Sequence, residues 1–193
     1  ARNVACTGAR PLALTNCLNF GNPEKPAVMW EFEQATSGLA AASRALGTPV
    51  ISGNVSFYNE TSGKLIFPTP TIGVVGILDE WERHVDSHFP RPDLPIFLLG
   101  PLLGDLSASE WLVLRRGIEA GAPPAVDLSH EVRLHGLLAL GVAKGWILSA
   151  HDVSEGGLAV AVAESCFGGR DHEALGARIT GPLEADAGPE AFL

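Results

Sequence analysis

Thr15-Asn16-Cys17-Leu18-Asn19-Phe20-Gly21-Asn22-Pro23 is echoed downstream by Ser52-Gly53-Asn54-Val55-Ser56-Phe57-Tyr58-Asn59. A helix-like segment separates the two runs, so a single helical crossover brings two asparagine-rich, hydroxyl-rich loops back beside each other. Asparagine offers an amide donor and a carbonyl acceptor, and glycine lets a backbone come close to a ligand. Carbonyl oxygens and waters also suit magnesium, which takes few protein ligands. Loops of this composition fit a nucleotide, its magnesium and a polar substrate better than a packed core.

The crossover is the clearest element. Val28, Phe32, Ala35, Leu39, Ala42 and Leu46 recur at spacings of four and three, one apolar face of a helix. Pro26 suits its first turn, and Gly47 with Pro49 its end. Val50 and Ile51 then begin a strand running toward Tyr58. Glu60 to Lys64 reads as a turn, Leu65 to Phe67 as the returning strand, and Thr71 to Leu78 as a buried strand. These elements make a first unit over residues 1–80. A stretch rich in Pro, Asp, Arg and His over 81–95 reads as an exposed linker.

A second unit is expected over 96–193. It opens with a short buried strand at Ile96 to Gly100, then a helix near Ser109 to Arg116 capped by Ser107 or Ser109. A stronger helix runs from about Ser129 to Ala143, with Gly145 as its stop. Trp146 to Ala150 is a strand and Leu158 to Phe167 a further helix. The irregular alternation, with a hairpin, predicts an α+β class rather than a purely parallel sheet.

Composition limits what such a chain can do. Its 193 residues are 46% apolar and 18% charged, a globular balance, and 13 basic against 22 acidic residues give a net charge of −9. Nucleic-acid binding relies on clustered basic residues, and no basic run exists, so nucleic acid is not an expected partner. No apolar stretch of about 18 residues appears; Leu94 to Leu106 is interrupted by Pro95, Gly100, Pro101, Gly104 and Asp105. No membrane role is expected. Cys6, Cys17 and Cys166 lack zinc or disulfide spacing, which points to reduced thiols and a cytoplasmic protein. The chain starts without methionine in what reads as a helix tail and stops at Ala191-Phe192-Leu193, the pattern expected of a piece of a longer polypeptide.

From the residues alone, several readings stay open. Asn16 follows the apolar run Leu12-Ala13-Leu14 and either holds a turn through its own side chain or meets a ligand at a strand end. Gly53-Asn54 is a β-bulge, a ligand site or both, because bulges re-aim side chains beside active sites. Asn54 and Ser56, two apart on a strand, face the same way. The paired glycines after His151-Asp152 suit a capped turn or an anion at a helix start. A Ser149–His151–Asp152 triad fails because neighbouring strand residues alternate faces, and His130, His135 and His151 lack zinc-site spacing. Cys17 reads as a small buried side chain rather than a nucleophile.

The runs Thr15 to Pro26, Ala45 to Thr61 and Ser149 to Val160 together resemble the synthetase (large) subunit of phosphoribosylformylglycinamidine synthase, in the form that works with separate small subunits. With Asp127-Leu128 the likeness spans most of the chain. It implies half of an aminoimidazole-ribonucleotide-synthetase-like architecture, an ATP-binding N-terminal unit followed by a C-terminal α/β unit. By the same resemblance Asn16 and Gly53 contact ATP, Asn54 binds Mg2+, and Ser56 holds formylglycinamide ribonucleotide. The implied reaction is ATP-dependent amidine formation using ammonia from glutamine. The implied partners are a glutaminase subunit, a small accessory subunit and the missing first half of the same polypeptide. The family's catalytic histidine and most of its magnesium carboxylates belong to that first half, so no catalytic residue is expected here and the chain alone is expected to be inactive.

Two departures stand out. Asn16 replaces a frequent aspartate, and Ser107-Ala108-Ser109-Glu110-Trp111 replaces a glycine-rich run, so no ligand role is expected in that second segment. Since the family consists of two similar halves, Asp152 matches a magnesium-binding aspartate of the first half, implying an auxiliary phosphate site. Another ATP-dependent member of the superfamily, and a non-catalytic interaction half, are the alternative classes.

Overall fold

The computed structural model describes residues 1–101, 106–169 and 173–180. The end of the expected second unit, from 181 onward, lies outside the described residues. The chain opens with a short helix α1 (Arg2–Cys6), followed by β1 (Arg10–Asn19), the long helix α2 (Pro26–Leu46) and β2 (Val50–Ser56). A hairpin of β3 (Glu60–Thr61) and β4 (Lys64–Leu65) leads to β5 (Thr69–Ile77). Beyond a 3-10 turn at Trp81–Arg83 come α3 (Glu110–Arg116), α4 (Leu128–Ala143) and α5 (Gly157–Cys166).

The main sheet has the order β2-β1-β5, with β1 parallel to β2 and antiparallel to β5. Helix α2 is the connection that two parallel neighbours require. Pro26 lies in its first turn, and Gly47 ends it in the left-handed conformation at φ 66°, where a side chain would be strained. This mixed sheet with helices bears out the α+β expectation.

Two apolar clusters anchor the molecule. Leu18, Phe20 and Val28 form the first, with Phe32, Ala35, Phe57 and Leu65 packed around them. Phe20 meets Phe32 edge-on at 5.2 Å between ring centroids, and Phe32 meets Phe57 at 5.2 Å, favourable aromatic geometry. Phe57 thus points inward. Ala5, Cys6 and Leu138 form the second cluster, with Leu134, Ile147 and Ala150 packed against it. Helix α4 contacts both α1 and α2, so the second helical layer is fastened to the first unit.

Several expectations are corrected. The returning strand is only Lys64–Leu65, and Phe67 is exposed. Strand β5 forms where expected but is not buried: it is a sheet edge, with Ile72, Val75 and Ile77 facing solvent. Ile96 to Gly100 and Trp146 to Ala150 form no strand among the described residues. An apolar run becomes a strand only when a neighbouring strand takes up its backbone groups along its length; among the described residues no strand pairs with either run, and the second makes isolated bonds to Gly141 and Asp86 instead. Of the two serines proposed as a cap for α3, Ser109 is the N-cap, accepting from the Leu112 amide. Asp127 caps α4 by accepting from the His130 amide. The 81–95 segment is hydrogen-bonded at several points: Val85 donates to Thr7, Asp86 accepts from Ala150, and Phe89 donates to Ser165. No helix among the described residues is long and apolar enough to cross a membrane.

A partly exposed charge network joins α1 to α4. Arg2 Nε donates to Glu131 Oε2 at 2.7 Å, and His135 Nε2 lies 3.6 Å from the same oxygen. His135 is 8% exposed, and its Nε2 has no hydrogen-bond partner. Burial lowers its pKa below the usual imidazole value, with Glu131 opposing. A depressed imidazole pKa means that the unfolded chain takes up the proton first as pH falls, so stability drops below about pH 6.5. Urea midpoints should therefore fall between pH 7.5 and 5.5, and His135→Gln should flatten that slope. An unchanged slope in His135→Gln would contradict the assignment.

Candidate functional site

The register of the parallel pair sets the site. Asn16 lies opposite Gly53, Cys17 opposite Asn54, and Asn19 opposite Ser56. Residues directly opposite share a face of the sheet, and successive residues alternate. Thr15, Cys17 and Asn19 of β1 therefore share one face with Ser52, Asn54 and Ser56 of β2. From β5, Thr69 pairs with Asn19, Thr71 with Cys17 and Gly73 with Thr15. The result is an open face made almost wholly of hydroxyl, amide and small side chains. The opposite face carries Leu14 and Leu18, both buried.

On the open face, Asn54 Nδ2 donates to Ser56 Oγ at 3.1 Å. The expected common orientation of these two side chains is what the structure shows. With its amino group so engaged, Asn54 keeps its carbonyl oxygen as an acceptor on the exposed surface. Asn19 Nδ2 donates to the Thr69 carbonyl at 3.3 Å and approaches Cys17 Sγ at 3.5 Å. Thr15 Oγ1 donates to the Ser52 carbonyl at 3.0 Å. These bonds tie β1 to both neighbours along the polar face.

Asn16 is placed differently from Asn54. It sits inside β1 rather than at or past the strand end, and it belongs to the face that carries Leu14 and Leu18. Its side chain leans across Gly53: a Cβ built on Gly53 would lie 2.0 Å from Asn16 Oδ1 and 2.9 Å from the Asn16 carbonyl oxygen. Gly53 is thus required by close approach, since no side chain fits beneath the Asn16 amide. It is not a bulge: the register irregularity falls between Leu14 and Thr15, where Ile51 is the extra residue of β2. Because β2 is an edge strand, the Asn16 amide above Gly53 and the Asn54–Ser56 pair below flank one free strand edge. The two asparagines straddle that edge instead of sharing a single concave face.

The His151 loop is a separate feature. His151 Nε2 is 3.2 Å from Glu164 Oε2, and Nδ1 is 2.8 Å from the Asp152 carbonyl oxygen. Both ring nitrogens have partners, and neither is Ser149. Asp152 Oδ1 accepts from Asn3 Nδ2 at 3.4 Å. Gly156 and Gly157 both have positive φ at the start of α5. Among the described residues no group of three or more His, Cys, Asp or Glu side chains could hold a metal ion. Cys17 is half-buried on the polar face. Sequence reasoning missed Asn19 and Asn59; both stand in the quoted motifs, but their roles depend on strand pairing.

The fold is a mixed α+β arrangement with its polar groups gathered on one face of the main sheet. The description "AIR synthase related protein, N-terminal domain" matches residues 1–78, and "AIR synthase related protein, C-terminal domain" matches residues 91–180. The chain belongs to the AIR synthase related proteins. It is 53% identical over 167 residues to the phosphoribosylformylglycinamidine synthase subunit PurL of Anaeromyxobacter sp. (strain K), an overlap of 86% of this chain and 22% of that protein. It is 48% identical over 193 residues to the PurL of Moorella thermoacetica, covering 100% of this chain and 26% of the relative. The chain thus spans about a quarter of the length of these curated relatives. In fold it is similar to the hydrogenase maturation protein HypE in complex with ATP, with a TM-score of 0.58 at 22% identity, over 86% of this chain and 46% of that one.

The contact between Gly53 and Asn16 makes a direct prediction. Gly53→Ala should destabilise the chain by about 1–3 kcal/mol, the usual range for overpacking. Removing the amide in Asn16→Gly should recover part of that loss in the double variant. Urea unfolding of the four proteins measures both effects; strict additivity would contradict the contact.

Proposed function

We propose that this chain is one part of an ATP-dependent carbon–nitrogen ligase that converts formylglycinamide ribonucleotide to its amidine with glutamine-derived ammonia. The observation that carries this reading is the Asn54–Ser56 pair on the open face, with the Asn16 amide lying over Gly53 at the same strand edge. Family membership and about 50% identity to PurL subunits support it. In this reading Asn16 and the Gly53 backbone contact ATP, Asn54 contributes its carbonyl oxygen to Mg2+, and Ser56 hydrogen-bonds formylglycinamide ribonucleotide.

The donor set fits magnesium. A neutral amide oxygen on an exposed face, with no carboxylate cluster around it, is one ligand among several that water and phosphate complete. When bound, the ion neutralises charge on a transferring phosphoryl group, and the surrounding protein mainly positions the reactants. None of Asn16, Asn54 or Ser56 is a general base. The remaining groups belong to a first half of the same polypeptide. Ile51, Val55, Ile72, Val75 and Ile77 on the two outer strands are exposed, apolar side chains at both sheet edges that a further part of the polypeptide could cover. A glutaminase subunit and a small accessory subunit are the further proposed partners.

Calorimetric titration of Mg·ATP into the full-length subunit carrying this sequence tests the site. Asn54→Ala should weaken binding about 10–100-fold, the effect of losing one ligand bond to a charged group. Unchanged affinity would favour a purely structural, subunit-binding role. The isolated chain, mixed with the glutaminase subunit, should release no ADP in response to formylglycinamide ribonucleotide. Substrate-dependent release would contradict the division of the site between two halves.

A further inference from the structure

We propose that Asn59 is a positioning residue that fixes the end of β2, and through it Ser56, for ligand binding. The proposal rests on the reading of Ser56 as a substrate contact. Asn59 Nδ2 donates at 2.9 Å to the Ser56 carbonyl and at 2.9 Å to the Phe20 carbonyl. The two acceptors belong to different segments, the last residue of β2 and the residue that follows β1. One side-chain amide therefore bridges the two ends of the parallel pair.

The bridge closes a small ring of bonds. The Phe20 amide donates to the Ser56 carbonyl at 3.0 Å, and the Asn59 amide donates to the Phe20 carbonyl at 3.2 Å. Both carbonyls thus accept two hydrogen bonds, the capacity of an sp² oxygen. The Tyr58 amide adds a bond to the Gly21 carbonyl at 2.9 Å. Tyr58 itself has φ 59°, a left-handed conformation that residues with a side chain seldom adopt. Surrounding bonds must impose such a turn, and Asn59 supplies four of them, counting the Ile66 amide that donates to its carbonyl.

The consequence for ligand binding is geometric. Among the described residues strand β2 pairs with β1 alone, so its terminal residue has a single strand to orient it. Ser56 carries the hydroxyl that receives the Asn54 amide, and both side chains lie just before the clamped carbonyl. Loosening the clamp frees the backbone that aims both groups. Phe57, between them and the turn, is packed in the aromatic cluster, so the clamp also joins this edge to the core.

The test is a double-mutant cycle in the full-length subunit carrying this sequence, read by calorimetric titration of formylglycinamide ribonucleotide. Asn59→Ala and Ser56→Ala should each weaken binding by about tenfold. The double variant should bind no more weakly than Ser56→Ala alone, because Asn59 acts through Ser56. Asn59→Ser keeps one donor and should fall between wild type and Asn59→Ala; it carries the same comparison where the alanine variant does not fold. Additive losses, or wild-type affinity in Asn59→Ala, would overturn the positioning role while leaving Ser56 in place. Wild-type affinity in Ser56→Ala would overturn the reading of Ser56 and this proposal with it.

Discussion

The structure depends on the parallel pairing of β1 with β2. That pairing needs a crossover, and α2 provides it with a proline at its start and a left-handed glycine at its end. The register then assigns every side chain of both strands to a face. A slip of one residue would exchange the polar and apolar sets. Leu18, held by Phe20 and Val28, opposes such a slip on one side, and the Asn59 bridge opposes it at the strand ends.

Fastening one end of the pair leaves the other strands free to be incomplete. Strand β5 pairs with β1 and presents its outer edge, and the residues that cover a core elsewhere are exposed here. Exposed β-branched side chains on edge strands are a liability unless another surface covers them. The polar face of the same sheet tolerates exposure, because Thr15, Asn19 and Asn54 have hydrogen-bond partners within the sheet. One sheet therefore combines exposed apolar side chains on its outer strands with a polar face held by internal hydrogen bonds.

Much of this was legible in the residues. The spacing from Val28 to Leu46 marks a helix because burial on one side demands a 3.6-residue period. Ser109 and Gly145 mark helix ends because local chemistry alone decides a cap. The same-face relation of Asn54 and Ser56 follows from strand alternation. The pairing of distant segments was not legible. The residue of β2 that lies opposite Asn16 depends on an irregularity at Leu14/Thr15, where Ile51 is extra, that no local signal announces. Strands expected at Ile96 to Gly100 and at Trp146 to Ala150 failed because apolar composition cannot show whether a neighbouring strand exists. His135 looked like one histidine among six, and only packing of α1 against α4 buries its ring and leaves Nε2 without a hydrogen bond.

The central claim is that a magnesium nucleotide lies along the free edge of β2. Hydrogen–deuterium exchange of the full-length subunit carrying this sequence, with and without a non-hydrolysable Mg·ATP analogue, measures this directly. Slowed exchange concentrated in residues 14–21 and 50–59 is the predicted result. Slowed exchange confined to the loop at 151–160, with the β1–β2 pair unchanged, would contradict it.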